Sequence, residues 1–287
     1  MKTVRDHDAE LHVLECYESG LRNGYADLSA SIGNAGDVRD YLGLSQAGAC
    51  RRKVSFGLAP VPRPPISAST MAIFKDGYLL EADTLTRLIC GGCALHSTGT
   101  PIHHPEIPEI RGHRDTMMHL DQPVGDGDEF LVEVKSMRGF PQQKLLGKKG
   151  RGENAIYGNV SVEHAAGWVL ESHVTKKTNP DYYAQVQAYL YGMSFGTEET
   201  DAALIIYRMK EDGRIAVERI SMDRGYGREL WSRMEGIWSA HESETLEGRD
   251  YEPAVDWQCK YCDYTGDCQG LAAGAVGYDQ LNITQEA

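Results

Sequence analysis

The residues with the clearest catalytic potential lie in the apolar segment 129–137. Glu133 and Lys135 interrupt this segment, and in a β-strand, whose side chains alternate between two faces, they share one face. Upstream, segment 107–120 carries Asp115, which can approach Glu133 if the two segments pair as a hairpin. Mg²⁺ binds one or two carboxylates, and a lysine beside it could orient or deprotonate a water that attacks a phosphate. The alternative is an exposed strand with a Glu/Lys pair.

A second set of polar residues has helical spacing. Gln185 and Tyr189 are four residues apart on one face of a predicted helix, and Tyr182 precedes them by one turn. Gln187 and Tyr191 offer the same spacing in the next register. An amide and a phenol on one face could contact a DNA backbone or support the carboxylates. The alternative is a row of half-buried tyrosines.

One more acidic residue lies on an apolar helix. Segment 71–88 has an apolar stripe of helical period, and Glu81 interrupts it. A glutamate there is buried only if it is paired or binds a metal ion. The alternative is a glutamate at the boundary between the buried and exposed faces.

The cysteines indicate a metal or cluster site. Cys259, Cys262 and Cys268 form a C-x2-C-x5-C pattern, and a site of this kind needs a fourth ligand. Cys50 is one candidate, and Cys90 or Cys93 is another. Cys90 and Cys93 could instead complete a four-cysteine zinc ribbon with Cys259 and Cys262. They could also hold zinc with nearby histidines, namely His96, His103 and His104.

Composition narrows the class of protein. The 287 residues include 29 Lys+Arg and 42 Asp+Glu, so the net charge of −13 excludes a polybasic binder. A local basic surface can still bind nucleic acid, because charges are screened over about 10 Å. No apolar run reaches the roughly 20 residues of a membrane span, and no secretory signal is visible. We therefore expect a cytoplasmic protein with no membrane partner, in which clustered cysteines indicate metal rather than disulfides.

The predicted elements form one α/β domain with a mixed sheet. Residues 1–45 are predicted to be helical and then polar, 59–65 to be an extended proline-rich connector, and 140–179 to be a mobile loop with short elements. Further helices and strands follow the periodicity of the apolar residues. The strands are predicted at 107–120, 129–137, 202–209 and 214–221, and the helices at 71–88, 181–193 and 224–241.

Taken together, the motifs resemble the PD-(D/E)XK nuclease superfamily, specifically its RecB-like branch with an iron–sulfur cluster. That branch includes CRISPR-associated adaptation nucleases, the AddB nuclease domain and phage exonucleases. Asp115 matches the motif aspartate, Glu133-Val134-Lys135 the (D/E)XK strand, and Gln185 with Tyr189 the Q-x3-Y helix. Glu81 matches the acidic residue of the first core helix. Two departures are Arg114 where many relatives have proline, and Glu81 or Tyr78 where many have a histidine ligand.

The resemblance implies a restriction-endonuclease-like core, with a mixed central sheet flanked by helices and a cluster joining the N- and C-terminal segments. The implied organisation is a helical or loop extension at 1–43, a nuclease domain at 44–270 and a tail at 271–287. Mg²⁺ or Mn²⁺ would be held by Glu81, Asp115, Glu133 and the Val134 carbonyl. Lys135 would position the attacking water, with Gln185 and Tyr189 as further catalytic residues.

The resemblance also implies a [4Fe-4S] cluster. Cys50-Arg51-Arg52-Lys53 matches the lone cysteine that precedes the nuclease core in that branch. The three later cysteines of the branch match Cys259, Cys262 and Cys268. The cluster would tie the two ends of the domain together.

The implied activity is hydrolysis of DNA that leaves 5′-phosphates, most simply by an exonuclease. A basic, glycine-containing stretch after the catalytic strand would bind DNA; its members are Lys144, Lys148, Lys149 and Arg151. The setting would be phage recombination, DNA repair or CRISPR-type DNA processing in a bacterial or phage-infected cell, with a homo-oligomer or a recombination or CRISPR protein as a possible partner. The alternative is a non-catalytic DNA-end-binding or adaptor protein on the same scaffold, with structural zinc or iron–sulfur.

Overall fold

The computed structural model describes residues 7–23, 41–61, 68–120, 129–150, 156–196 and 200–281. The helices of these residues are α1 (Asp8–Asn23), α2 (Arg51–Leu58), α3 (Ala68–Cys90), α4 (Gly139–Leu146), α5 (Val174–Thr178), α6 (Pro180–Met193), α7 (Arg224–Glu242), α8 (Trp257–Lys260) and α9 (Thr265–Gln269). None of these helices is both long and apolar enough to cross a membrane.

The strands of the described residues are mostly short. They are β1 (Leu42–Gly43), β2 (Ala94–His96), β3 (Pro101–His103), β4 (Ile110–His113), β5 (Thr116–His119), β6 (Glu129–Met137), β7 (Lys148–Lys149), β8 (Ile156–Tyr157), β9 (Val160–His164), β10 (Gly167–Leu170), β11 (Ala202–Met209), β12 (Ile215–Ser221), β13 (Thr245–Leu246) and β14 (Val276–Gly277).

Seven strands form the central sheet in the order β2-β5-β6-β11-β12-β10-β9. The pairs β6–β11 and β10–β12 are parallel, and the others are antiparallel, so the predicted mixed sheet is confirmed. The hairpin considered for 107–120 and 129–137 is present as β5–β6, and the predicted strands at 202–209 and 214–221 pair as β11–β12. Residues 121–128, which join the two predicted strands, lie outside the described residues. Every residue of the central strand β11 is buried, as is usual for a strand with helices on both faces of its sheet.

Alternation along β6 separates two layers of the core. Leu131 packs on the α6 side of the sheet with Val186 and Leu190. Phe130 and Val132 pack on the opposite side, with α1 and α3. Glu133 and Lys135 follow the register of Leu131, so they project toward the α6 layer. β6, the acidic strand that carries Glu133, lies between β5 and β11 in the sheet. This position excludes the alternative that Glu133 and Lys135 are a pair on an exposed strand.

The strand predicted at 107–120 is wrong as one element. It is two strands, β4 and β5, that belong to different sheets, because the chain changes sheets at Arg114-Asp115. β4 pairs with β1 and β3 in a separate three-stranded sheet. Both halves carry strand-forming residues, so local pattern does not reveal the break. The break is what brings Asp115 to the edge of β6.

The loop predicted at 140–179 is also wrong in part. It contains α4, the β7–β8 hairpin and α5, and its strands β9 and β10 extend the central sheet. β9 is a half-exposed edge strand with polar residues, which conceals its period-two pattern. In the apolar stripe predicted on α3, Leu85 and Leu88 are buried but Leu79 and Ile89 are exposed. Residues 62–65 of the predicted connector lie outside the described residues.

The C-terminal segments fold back onto α2. Phe56 of α2 stacks on Tyr264 with ring centroids 4.9 Å apart, within a small core that includes Leu246, Cys268 and Val276. Arg52, which is 1% exposed, donates hydrogen bonds to the carbonyl oxygens of Glu247, Ala272 and Gly274. These contacts bring the segment after Cys50 next to the C-terminal cysteines.

Candidate active site

Glu133 is the centre of the candidate site. Its side chain lies between β6 and α6, and only 1% of the residue is exposed. One carboxylate oxygen, Oε1, accepts hydrogen bonds from Lys135 Nζ at 2.6 Å and from Gln185 Nε2 at 2.7 Å. The other oxygen, Oε2, is buried without a hydrogen-bond partner in the part of the chain that the structure describes. A buried carboxylate oxygen of this kind is energetically costly unless a cation or donor satisfies it.

Asp115 is held against the same strand by a backbone contact. Its Oδ2 accepts a hydrogen bond from the Val134 N–H at 2.7 Å, and Thr116 pairs with Val132 in the adjacent register. Burial raises the pKa of Asp115 well above its usual value, and the charges of Glu133 and Glu81 raise it further. The expectation that a hairpin brings Asp115 close to Glu133 is therefore met in the folded chain.

Glu81 joins these two carboxylates from α3. Burial and then the charge of Glu133 raise the pKa of Glu81 to about 7, while Lys135 acts in the opposite direction. Burial alone would lower the pKa of Lys135, but the negative charges of Glu133 and Asp115 outweigh burial and raise it. The ammonium thus stays protonated at neutral pH. Three carboxyl groups face one ammonium, so ionisation of all three would give the site an excess of negative charge.

This donor set fits a divalent cation. Mg²⁺ and Mn²⁺ prefer hard oxygen ligands, and a cation beside three converging carboxylates would relieve their mutual repulsion. The unsatisfied Glu133 Oε2 supplies a buried oxygen for such an ion. Glu81, Asp115 and Glu133 are therefore the side chains that could hold one.

The helix α6 presents one of its two glutamines to the site. Gln185 reaches Glu133, whereas Gln187 donates to the Ser221 carbonyl at 2.9 Å and accepts from the Asp223 N–H at 2.7 Å. Gln187 therefore connects α6 to the start of α7. Of the two glutamines considered from the sequence, Gln185 is therefore the one that contacts a carboxylate of the site.

The aromatic residues of α6 have different positions. Lys135 Nζ lies 5.1 Å from the ring centroid of Tyr182, so this tyrosine borders the site. Tyr189 is buried, and its ring lies so close to Gly112 that a Cβ atom there would be 2.7 Å from it. Tyr189 thus packs α6 against β4.

A buried polar network next to the site has no counterpart in the sequence motifs. Thr175 Oγ1 is 2.8 Å from Tyr207 Oη and donates to Glu218 Oε2 at 2.6 Å. Burial raises the pKa of Glu218, although the hydrogen bonds from Thr175 partly oppose this. The Tyr207 ring lies 6.4 Å from that of Tyr182, so the network underlies the residue beside Lys135. The available signal was a tyrosine and a glutamate at interior positions of two strands that are mostly apolar.

The four cysteines of the implied cluster line one cavity of about 530 Å³; they are Cys50, Cys259, Cys262 and Cys268. Burial raises the pKa of Cys259, and the charges of the other three thiolates raise it further, as expected for close neighbours. No three of these thiols lie within 4.8 Å of one another in the described structure. Tyr182 lines the same cavity, which therefore extends toward the carboxylates.

The two alternative zinc sites are not assembled. Cys93 is buried in the core layer of α1 and α3 rather than at the cavity that Cys259 lines, so the zinc ribbon is wrong. His96 pairs with Glu129 at 2.9 Å, and His104 pairs with Glu235 at 2.9 Å. Two of the three histidines proposed as partners of Cys90 and Cys93 are thus engaged elsewhere.

The predicted basic stretch is only partly a loop. Lys148 and Lys149 are exposed on β7, which pairs with β8. Lys144, on α4, donates to the Thr178 carbonyl at 2.9 Å and lines the cysteine cavity. Arg151 lies outside the described residues. The three described lysines thus lie on two elements that follow the acidic strand.

No model of a known protein family matches this chain, and no curated protein matches its sequence. Among solved structures, the chain is similar to LHK-Exo in complex with dAMP, with a TM-score of 0.42 and 17% identity over 72% of this chain and 90% of that one. A second structure of this alkaline exonuclease, from Laribacter hongkongensis, matches with a TM-score of 0.37 and 15% identity, over 76% of this chain and 92% of that one. The structure of SSO0001 matches with a TM-score of 0.41 and 14% identity, over 93% of this chain and 96% of that one.

Proposed function

We propose that this chain is a metal-dependent DNA nuclease with a PD-(D/E)XK-type site. The observation that carries the proposal is the environment of Glu133. One of its oxygens is held by Lys135 and Gln185, and the other is buried and unsatisfied beside two further carboxylates. This arrangement unites three sequence motifs that lie far apart in the chain.

Glu81, Asp115, Glu133 and the Val134 carbonyl would hold one or two Mg²⁺ or Mn²⁺ ions. A bound divalent ion would polarise the scissile phosphate and neutralise the negative charge that develops during hydrolysis. The protein holds these ligands on three separate elements, and the Asp115–Val134 hydrogen bond fixes one of them to the acidic strand.

Lys135 and Gln185 act on this site in different ways. Because its pKa is raised, Lys135 remains a cation that donates hydrogen bonds to a phosphate oxygen or to the attacking water. It is better suited to positioning and charge stabilisation than to proton abstraction. Gln185 is a positioning residue, because its amide orients Glu133 from the opposite element.

We further propose that DNA reaches the carboxylates along the side of the cysteine cavity that Tyr182 lines, while the side lined by the cysteines holds the cluster proposed below. Tyr182 lines the cavity and borders Lys135, and the lysines that line it are Lys53, Lys144 and Lys177. Cations along a groove neutralise phosphates, and an aromatic ring provides a surface for stacking a base. Lys148 and Lys149 would also contact the DNA phosphates. The resemblance to RecB-like enzymes implies the same role for Arg151.

We propose that Cys50, Cys259, Cys262 and Cys268 bind a [4Fe-4S] cluster. Four thiolates on one zinc ion would be about 4 Å apart, given a Zn–S bond of about 2.3 Å. No three of these thiols lie within 4.8 Å of one another in the described residues, which suits a cluster that places its own iron and sulfide atoms between the cysteines. The cluster would be structural and would join α2 to the C-terminal segments.

The finer assignment follows the family resemblance. We propose an exonuclease that leaves 5′-phosphates and acts in phage recombination, DNA repair or CRISPR-type DNA processing. The cytoplasm of a bacterial or phage-infected cell, where thiols remain reduced, would suit its seven free cysteines. A second copy of the chain or a recombination or CRISPR protein is a candidate partner.

The test is degradation of single- and double-stranded DNA labelled at the 5′ or the 3′ end, with Mg²⁺ or Mn²⁺. We expect metal-dependent release of label by the wild type and none by Asp115→Asn, which retains the oxygen that accepts from Val134. Binding of DNA ends without cleavage under any metal would instead support a non-catalytic adaptor. Equal cleavage by both proteins would contradict the site.

A further inference from the structure

The segment Cys90-Gly91-Gly92-Cys93 has no role in the proposed nuclease, yet it places Cys93 in a second potential ligand group. His12 and Cys16 lie one turn apart on α1, and Cys93 follows the end of α3. Their ligand atoms all lie within 4.8 Å of one another, and His12 Nε2 is 3.4 Å from Cys16 Sγ. Among the described residues, this is the one group of three or more metal-ligating side chains that is so compact.

The two glycines make this approach possible. A Cβ atom on Gly91 would lie 1.6 Å from the Cys16 carbonyl oxygen, so the chain can pass α1 only where there is no side chain. Gly92 has a φ of +100°, in the region that favours glycine. The turn after α3 is therefore built against the helical turn that carries Cys16, and it ends with Cys93 beside that thiol.

We propose that His12, Cys16 and Cys93 form a zinc site. Zinc prefers sulfur and nitrogen ligands in a tetrahedron, where adjacent ligand atoms are about 3.5–3.8 Å apart. The His12–Cys16 distance is close to this value. Two thiolates and a neutral imidazole would give a net charge of zero around Zn²⁺, which a buried site requires. The carboxylates of the proposed nuclease site instead favour hard cations such as Mg²⁺ and Mn²⁺, so the two sites select different metals.

The surroundings suit a structural ion. Cys16 and Cys93 are 5% and 4% exposed and belong to the core layer that contains Val13, Leu14 and Leu88. His12 is half-buried, so the group lies near solvent, and a water molecule would complete the tetrahedron. The ion would fasten α1 to the end of α3, and with it the layer that covers the back of the central sheet.

Zinc content of the wild-type chain and single variants tests the proposal. We expect about one tightly bound zinc ion per chain after anaerobic purification. At least about tenfold less should remain in Cys93→Ser and in His12→Ala, since removing one of three ligands weakens the site severely. Cys90→Ser is the matched control, because Cys90 is outside the compact group, and it should retain zinc. Cys262→Ser should also retain it, which separates this site from the proposed cluster.

Two further measurements keep the test decisive. Wild-type protein loaded with Co²⁺ should show the charge-transfer absorption of a cobalt–thiolate bond, and His12→Ala should alter it even if a cysteine variant fails to fold. Removal of zinc by a chelator should lower the melting temperature of the wild type but not of Cys93→Ser. Equal zinc content in all variants would overturn the site. So would a zinc-free chain with a Cys16–Cys93 disulfide.

Discussion

Gln185 donates a hydrogen bond to Glu133 across the interface between α6 and β6, on the same oxygen that Lys135 contacts. The two donors therefore converge on Oε1 and leave Oε2 without a partner in the described structure. A glutamine in this position holds the carboxylate in one orientation without neutralising it. Its effect on function should be transmitted through Glu133 rather than through contact with substrate.

This arrangement predicts that Gln185→Ala and Gln187→Ala have different consequences. Gln185→Ala should lower the cleavage rate by about 10–100-fold, the usual cost of losing a residue that orients a metal ligand. A higher concentration of Mn²⁺ should restore part of the rate, because the ligand itself remains. DNA cleavage measured over a metal titration tests this.

Gln187→Ala serves as the comparison. It should lower the free energy of unfolding, because the Ser221 carbonyl and the Asp223 N–H each lose a partly buried hydrogen bond worth about 0.5–1.5 kcal/mol. Its cleavage rate per folded molecule should remain near that of the wild type. The reverse order of effects on cleavage would assign the catalytic register to Gln187.

Asp115→Asn should separate activity from stability. The asparagine keeps an oxygen for the Val134 N–H but loses the charge that Glu133 and Glu81 repel. We expect cleavage to fall by on the order of 100-fold or more, while the melting temperature in a chelator at neutral pH stays equal or rises. Near-wild-type cleavage by a well-folded variant would remove Asp115 from the site.

The acidic strand was predictable because its signal is local. Period-two alternation along 129–137 indicates that Glu133 and Lys135 share a face, and the structure has them on the face of Leu131. Helical spacing likewise predicts that Gln185 and Tyr189 share one face of α6. The same spacing holds for Gln187 and Tyr191, so it could not decide which glutamine contacts Glu133. That choice depends on which glutamine faces the sheet, which only the packing of α6 determines.

Other features depend on contacts between distant segments. The change of sheet at Arg114-Asp115 is invisible in a continuous strand-like pattern. Cys16 carries no motif, and its proximity to Cys93 arises only when α1 docks on the turn after α3. The Thr175–Glu218 contact likewise joins a short helix to a strand. Sequence patterns report periodicity within elements, whereas these sites depend on how the elements are arranged.

The raised pKa of Glu81 predicts a pH-dependent stability. Burial and the charge of Glu133 raise this pKa from its usual 4.5 to about 7 in the folded chain. Between those values the folded protein binds a proton that the unfolded chain has lost, so the free energy of unfolding should fall as pH rises from about 4.5 to 7. The expected loss is at most about 3.5 kcal/mol, because the pKa rises by about 2.5 at 1.4 kcal/mol per pKa unit and solvent screening of the half-buried side chain reduces the effect. Urea unfolding in EDTA across this range measures it.

Glu81→Gln is the matched control for that dependence. It should flatten the decrease, since the amide does not titrate, although Asp115 contributes a change of the same sign. Saturating Mn²⁺ should also reduce the slope in the wild type, because the metal competes with the proton for the carboxylates. A wild-type slope that is unchanged in Glu81→Gln would show that another group titrates.

The cysteine cavity predicts a coloured protein. Anaerobically purified chain should be brown and contain about four iron atoms if the cluster is a cubane. Cys50→Ser should lose the colour as completely as Cys262→Ser, because the two thiols line the same cavity despite their distance in sequence. Cys90→Ser and Cys93→Ser should keep it. A colourless wild-type chain, purified anaerobically with zinc at these four cysteines, would contradict the cluster.

Arg52 should matter more for stability than its neighbour Arg51. The Arg52 guanidinium is buried and donates to four carbonyl oxygens of the C-terminal segments, those of Glu247, Ala272, Ala273 and Gly274. In Arg52→Lys, a single ammonium cannot replace the several N–H donors of the planar guanidinium. One or two buried carbonyls therefore lose their donor, at about 1–3 kcal/mol each. Urea unfolding should show this loss, and iron content should fall as the C-terminal cysteines separate from Cys50.

Arg51→Lys is the comparison at the adjacent position. Arg51 pairs with Asp250 at 2.8 Å, but its side chain is 40% exposed, so lysine should cost less than about 1 kcal/mol. The backbone N–H of Arg51 also donates to Asp250 and is unaffected by the substitution. A larger loss in Arg51→Lys than in Arg52→Lys would mean that the surface ion pair, rather than the buried guanidinium, attaches the C-terminal segments to α2.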